Sequence, residues 1–205
     1  MDVLTELLSS DFRDLDRRAL DFFASLTSKI EPADLARPTP CPDWTLHGLL
    51  RHQVSQDIGF AAAARGEGGS LAVWRSGSLG DDPHAAVVAS GRLVTEAFAD
   101  DGVLTRDFAL PEVRDGGGFP GALAITFHVV DVVVHAWDVA ATLGLPWEPD
   151  EELVTASLKV AAVVPDDPES RAPGAAFAPS VPSDGRDPRD RLLALLGRDP
   201  SWRPA

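Results

Sequence analysis

The sequence predicts an all-α fold, a bundle of four long helices with a short C-terminal appendage. Apolar residues recur at intervals of three and four along four segments, which is typical of helices with one buried face. No segment shows a strong alternation of apolar and polar residues, and no internal repeat is found. At 205 residues and 44% hydrophobic, the chain is long enough to bury one core. We expect the bundle in residues 1–165 and, in 166–205, an extended strap plus a short helix packed on it.

The first two helices are bounded by capping residues, proline and glycine. Helical spacing runs from Phe12 to Ile30, and the prolines that follow would end this first helix. Thr45 is a good N-cap for the second helix. That helix should run to about Arg65, where Gly66 can adopt the left-handed conformation of a helix end.

The third and fourth helices are marked in the same way. Asp82 and the proline after it predict the start of the third helix, which should end near Asp100. The fourth helix should begin near Pro120 and end at Gly144. Its valine-rich run 129–134 is the one place where a buried strand would also fit.

The remaining segments predict loops, one shorter helix and the appendage. Residues 101–120 hold four glycines and two prolines and indicate a loop, with a short extended piece around 108–113. A shorter helix is expected over 150–163. The proline-rich strap that follows should lie on the bundle through Phe177, and a last helical segment should be capped by Gly197.

The charge of the chain excludes two classes of partner. With 32 acidic against 18 basic residues the formal charge is -14, which would repel a nucleic acid backbone and an anionic membrane surface. No apolar run approaches the roughly 20 residues needed to cross a bilayer. Acidic residues near the start are unlike a signal peptide, so a cytoplasmic protein is expected.

A narrow polar stripe on the fourth helix is the strongest functional feature. In a segment that is otherwise apolar nearly all round, five polar residues fall within an arc of about 80° at about 100° per residue. A stripe facing water is the ordinary alternative, but such stripes usually hold lysine, arginine and glutamate, which this one lacks. The composition therefore favours a buried polar site, whose groups must find partners or a metal. The five are His128, Asp131, His135, Asp138 and Thr142.

Three residues are the predicted metal ligands. Asp131 and His135 lie one turn apart on one helix face, the arrangement by which a helix offers two ligands to one ion. His52 on the second helix is the best third ligand, in line with small residues such as Gly59 that would leave room for an ion or a substrate. Two histidines and one carboxylate leave at least one position open, as catalytic centres do. Zinc is the first choice of metal, with nickel or iron as alternatives.

Two further residues of the stripe have predicted supporting roles. His128 is the candidate catalytic acid or base. The alternatives are a fourth metal ligand and a core histidine whose ring nitrogens have hydrogen-bond partners. Asp138 could orient His135 from behind, as the outer partners of metal-binding histidines do.

The single cysteine and the arginines of the appendage are assigned structural or surface roles. Cys41 excludes an internal disulfide and a cysteine-based zinc cluster. It lies between prolines with no basic neighbour in the sequence closer than Arg37, so nothing local would make its thiol reactive. Solvation at the surface is favoured over binding of an anionic substrate for the arginines of the tail, which are Arg171, Arg186, Arg189, Arg191 and Arg198.

Two stretches of sequence resemble a known family. PTPCPDWTLHGLLRHQ and, much later, HVVDVVVHAWDVAATLGLP are similar to the DinB-like metal-binding bundles, in particular the relatives of mycothiol-dependent maleylpyruvate isomerase. The likeness covers roughly residues 10–165, and RAPGAAFAP with LLALLGRDPSW resembles one actinobacterial subgroup of metal-binding proteins. The resemblance implies a four-helix bundle whose metal is held by His52, Asp131 and His135. The isomerases present glutamate where this chain has Asp131, and their C-terminal domain is larger.

The resemblance also implies a metal-dependent thiol S-transferase or isomerase. The metal would hold a small thiol such as mycothiol as thiolate, ready to add to an electrophilic carbon. Two alternatives stay open: a non-catalytic metal- or ligand-binding stress protein, and a metal-dependent hydrolase whose open position holds water. The implied partners are a small thiol and a small electrophile, and pairing into a homodimer is left open.

Overall fold

In the described part of the chain, helices form the regular structure apart from one small sheet, which confirms the all-α prediction. The computed structural model describes residues 2–42, 44–113, 117–172 and 175–204. Within them, the extended piece expected in the loop is limited to two short antiparallel strands, β1 (Asp107–Phe108) and β2 (Phe119–Pro120), with Phe108 opposite Phe119. The seven α-helices of the described residues are α1 (Val3–Ser9), α2 (Arg13–Thr27), α3 (Leu46–Ala64), α4 (Pro83–Phe98), α5 (Gly121–Leu143), α6 (Glu151–Ala161) and α7 (Pro188–Leu195).

The four long helices α2, α3, α4 and α5 form the bundle, at positions close to those predicted. Thr45 and Asp82 cap α3 and α4, because their side chains accept hydrogen bonds from the backbone nitrogens of Gly48 and Ala85. α5 ends where Gly144 adopts the left-handed conformation, with a φ of 69°. The valine-rich run is helical throughout rather than a strand.

The N-terminal part holds a helix that the sequence patterns do not predict. Asp2 caps α1 by accepting a hydrogen bond from the backbone nitrogen of Thr5, and Leu7 is buried where α1 packs on α5. Seven residues make two turns, too few for an apolar spacing to stand out. The first predicted helix is correspondingly shorter than expected: α2 ends at Thr27, and a 3-10 turn (Pro32–Ala36) follows.

The central helix of the bundle is α5. It packs against α1, α2, α3 and α6. By length and composition this helix could cross a membrane, so the expectation that no apolar run approaches that length is wrong. However, 89% of its most apolar window is buried inside the protein. The other helices of the domain, rather than lipid, cover its apolar surface.

The appendage is organised by a buried arginine. α6 is capped by Asp150 and packs on α5, and α7 packs in turn on α6. Between α6 and α7, the Arg171 side chain donates hydrogen bonds to the backbone carbonyls of Pro165, Ala178 and Leu195. The surface role expected for Arg171 is therefore wrong, because these three backbone carbonyl oxygens replace its water.

Candidate metal centre

Two helices bring the three predicted ligands together. His52 lies in the second turn of α3, and Asp131 and His135 lie one turn apart in the middle of α5. One ligand atom from each of the three residues lies within 4.8 Å of the other two. Nε2 of His135 is 3.4 Å from Oδ1 of Asp131, and the ring centroids of His135 and His52 are 5.2 Å apart. These three residues, called the ligand trio below, converge within reach of one cation.

Trp44 forms one wall of the site. Its ring centroid lies 4.4 Å from that of His52 and 5.9 Å from that of His135. The proline-rich loop before α3 holds this residue, since the hydroxyl of Thr39 donates to the carbonyl oxygen of Trp44. The indole therefore covers both imidazoles from one side and limits the access of water there.

Burial and neighbouring charges set the protonation of the ligand trio. Burial lowers the pKa of His52 to about 4, so this imidazole is neutral near pH 7. Burial by itself would raise the pKa of Asp131, but the adjacent His135 outweighs it and holds that pKa below the usual range. Burial would also lower the pKa of His135, but Asp131 and then Asp138 raise it well above the usual value. Without a metal, a proton on His135 therefore balances the carboxylates of the site.

One buried oxygen of the ligand trio lacks a partner. Oδ2 of Asp131 is shielded from solvent and accepts no hydrogen bond from any residue that the structure describes. A buried carboxylate oxygen in this situation costs free energy unless a ligand satisfies it. Carboxylate oxygen and imidazole nitrogen are donors that zinc, nickel and iron accept. The residues present therefore fit a divalent ion.

Behind the ligand trio, Asp138 holds the other nitrogen of His135. Nδ1 of His135 donates to Oδ2 of Asp138 over 2.8 Å, which leaves Nε2 facing Asp131. The same oxygen of Asp138 accepts from the guanidinium of Arg198, at 3.2 Å, and from the thiol of Cys41, at 3.3 Å. Asp138 thus lies in the orienting position suggested by the sequence, and partners of this kind fix the tautomer and direction of a metal-binding histidine.

A second group of candidate ligands shares His135 but is disfavoured by charge. One atom each of Cys41, His135 and Asp138 also lie within 4.8 Å of one another. The guanidinium of Arg198 already contacts two of them, Sγ of Cys41 at 3.3 Å and Oδ2 of Asp138 at 3.2 Å. A fixed positive charge at this place repels a cation. The candidate metal position is therefore on the Nε2 side of His135, within the ligand trio.

His128 belongs to a separate buried network. Its Nδ1 lies 2.6 Å from Oδ1 of Asp16, and its Nε2 lies 3.1 Å from Oδ1 of Asp57. Asp57 also accepts hydrogen bonds from Ser90 and Gln53. Burial by itself would lower the pKa of His128, but the two carboxylates outweigh it and raise that pKa to about 10. With both ring nitrogens engaged and 0% of its surface exposed, His128 fits the core-histidine alternative better than the catalytic one.

The space expected beside Gly59 is already filled. The sequence predicts that Gly59, in line with His52 on α3, leaves room for an ion or a substrate. Instead the ring of Trp74 packs so closely on Gly59 that a Cβ at this position would overlap it. Gly59 is therefore a packing position, and the expectation is wrong because the large partner comes from a loop whose path the sequence does not predict.

Sequence reasoning missed two residues of the site, Trp44 and Arg198. Arg198 contacts Asp138 from 60 residues further along the chain. It lies in a segment expected to be solvated, but only 7% of its surface is exposed. The expected surface role is wrong, because Arg198 neutralises a buried carboxylate. Burial of Asp138 does require a partner, so a cation could have been anticipated there, but the sequence does not indicate which one.

Most of the bundle matches a known family of domains. Residues 17–140 match the family model described as the mycothiol maleylpyruvate isomerase N-terminal domain. The chain is also similar to two proteins of Mycobacterium tuberculosis, one from strain CDC 1551 and one from strain H37Rv, both described as uncharacterized. Each is 35% identical over 185 residues, which cover 89% of this chain and 94% of the relative. No solved structure matches the chain.

Proposed function

This chain belongs to the family of mycothiol maleylpyruvate isomerase N-terminal domains, which are DinB-like bundles, and we propose that it holds one divalent metal ion through His52, Asp131 and His135. Two observations carry the proposal: the three residues of the ligand trio converge, and Oδ2 of Asp131 is buried with no partner in the described part of the chain. Zinc is the first choice, because two imidazoles and one carboxylate suit it and leave a position open. Nickel and iron are the alternatives.

The reaction proposed is addition of a small thiol, mycothiol being the family's own, to a small electrophile. Either transfer of the thiol or isomerisation of the electrophile would follow from that addition. When bound, the ion would supply Lewis acidity that favours the thiolate form of the thiol. The chain contributes a neutral His52, an oriented His135 and, in Trp44, an apolar wall that excludes water. We assign His128 to the core rather than to acid–base catalysis, because both its nitrogens are engaged.

Metal analysis of purified variants tests the proposed centre. The native chain should carry about one metal ion per molecule, and His52→Ala and His135→Ala should each lose most of it, because two remaining ligands hold an ion poorly. His47→Ala is the matched control, since His47 is exposed and lies on the same helix as His52. Metal content unchanged in both ligand variants would remove the ligand trio from consideration.

Thiol-dependent turnover tests the proposed reaction. If the protein is a transferase, the metal-loaded form should consume mycothiol in the presence of an alkylating agent. If it is an isomerase, it should convert a cis-alkene diacid to the trans isomer only when mycothiol is present, and the thiol should be regenerated. Chelation should abolish either activity. Metal binding with neither activity would favour a non-catalytic binder instead. Metal-dependent hydrolysis that needs no thiol would favour a hydrolase.

A further inference from the structure

We propose that Arg198 is a positioning residue of the metal centre, through which the C-terminal appendage sets the affinity of His135 for the ion. The inference rests on the metal site proposed above. Arg198 acts through Asp138: its guanidinium meets the same carboxylate oxygen that holds Nδ1 of His135. The appendage would then be part of the metal centre rather than a covering of the bundle.

The appendage delivers Arg198 into the bundle by a specific path. Arg198 follows the end of α7, and its backbone nitrogen donates to the carbonyl oxygen of Leu193. Gly197, just before it, has a φ of 76°, and a Cβ there would lie 2.7 Å from the carbonyl oxygen of Ala178 in the strap. A larger residue at position 197 would be strained and would have to displace the strap. The strap and the end of α7 together therefore fix where Arg198 enters the bundle.

The guanidinium of Arg198 links the appendage to α5. One amino nitrogen donates to the carbonyl oxygen of Leu196 over 2.9 Å. The other lies 3.2 Å from Oδ2 of Asp138 and 3.3 Å from Sγ of Cys41. Arg198 is 7% exposed and Asp138 is 0% exposed, so water screens this ion pair far less than a surface pair. Removing one member of such a pair leaves an uncompensated buried charge.

The orientation of the Asp138 carboxylate depends on contacts at one oxygen. Oδ2 meets His135, Cys41 and Arg198, whereas Oδ1 is buried and has no partner among the residues described. Of the three contacts, Arg198 is the one with a permanent positive charge. It therefore keeps Oδ2 turned toward Nδ1 of His135 also when the imidazole is neutral, which is the form that binds an ion.

Zinc affinity, measured by competition with a chromophoric chelator, tests the proposal. Arg198→Ala should weaken zinc binding by about 10- to 100-fold, the effect expected of a lost outer partner. Arg198→Lys keeps the positive charge but loses the guanidinium, whose two amino nitrogens contact Leu196 and Asp138. The zinc affinity of this variant should therefore lie between those of Arg198→Ala and the native protein. Arg191→Ala is the matched control, because Arg191 is an exposed arginine of the same appendage. Native affinity in both Arg198 variants would overturn the proposal.

A double variant distinguishes positioning from a merely structural role. If Arg198 acts through Asp138, then adding Arg198→Ala to Asp138→Ala should weaken zinc binding little beyond the single Asp138 variant. If the fold-losses of zinc affinity in the two single variants instead multiplied in the double variant, the proposal would be overturned. The d–d absorption bands of cobalt, bound in place of zinc, should shift in Arg198→Lys and stay unchanged in Arg191→Ala, which keeps the test available if Arg198→Ala does not fold. A native protein that binds none of zinc, nickel and iron would reject the metal site itself, which is a different outcome.

Discussion

The imidazole of His135 must lose a proton before it can bind an ion. Burial opposes protonation, but Asp131 and Asp138 raise the pKa of His135 well above its usual 6.5, so the metal-free side chain is a cation near pH 7. His52, with a pKa of about 4, is already neutral. Metal binding should therefore release about one proton between pH 6 and pH 8, and affinity should rise about tenfold per pH unit.

Isothermal titration calorimetry in buffers of different ionisation enthalpy measures this proton release. Asp138→Asn is the control, because loss of one carboxylate lowers the pKa of His135 and should reduce the number of protons released. A release near two protons would mean that His52 is also protonated before binding. A release near zero would contradict the role of His135.

Asp131 supplies the one carboxylate of the ligand trio. Asp131→Asn keeps the size of the side chain and removes its charge, so zinc affinity should fall by more than the roughly 10- to 100-fold typical of an outer partner. Asp131→Glu should retain zinc, because it restores the longer acid that the isomerases present at this position. Chelator competition on the two variants measures both effects. If Asp131→Asn bound zinc as tightly as the native protein, the carboxylate would not be a ligand.

At the scale of the helix, α5 carries two polar networks on one face. The composition of the stripe predicts burial, and the structure confirms it for four of the five residues, His128, His135, Asp138 and Thr142. The fifth, Asp131, is half-buried. The sequence does not reveal that the stripe divides between two sets of partners. One of those partners, Asp16 on α2, lies in a stretch rich in charged residues, where an acid that points inward looks the same as one that points outward.

The His128 network ties α5 to α2 and α3 through Asp16 and Asp57. His128→Ala leaves two buried carboxylates without their cation, so the free energy of unfolding should fall by about 3–5 kcal/mol. Zinc content should be unchanged, because His128 is not in the ligand trio. Urea unfolding and metal analysis measure the two effects, with the exposed His47→Ala as control. Lost thiol turnover with unchanged stability would instead restore the predicted catalytic role.

At the scale of the whole molecule, the sequence predicts the bundle better than the appendage. Periodic spacing and caps determine where α3, α4 and α5 begin and end, because these signals act within a few residues. The route of the strap depends on contacts between distant segments, such as the three carbonyl oxygens that Arg171 joins. Local patterns hold no information on such contacts, so Arg198 could not be predicted. The convergence of the ligand trio, also a contact between distant segments, is indicated instead by residue type, by helical spacing and by the family resemblance.

Metal should stabilise the entire fold, because the ligand trio joins α3 to α5, and the pair of Asp138 and Arg198 joins α5 to the appendage. An ion that binds the folded state alone, at 100 times its Kd, adds about 2.7 kcal/mol to the free energy of unfolding. Removal of zinc by a chelator should therefore lower the Tm of the native protein. His52→Ala should not respond to the chelator, since it lacks a ligand.

Hydrogen exchange locates that stabilisation within the molecule. Zinc should increase the protection of amides in α3 and α5 and, through Arg198, around residues 193–198 of the appendage, whereas α4 contributes no ligand and should change least. Protection that rises in α3 and α5 alone would mean that the appendage is not coupled to the ion. If neither amide protection nor Tm changed when zinc was added, any bound metal would lie away from the ligand trio, because an ion joining two central helices must oppose their separation.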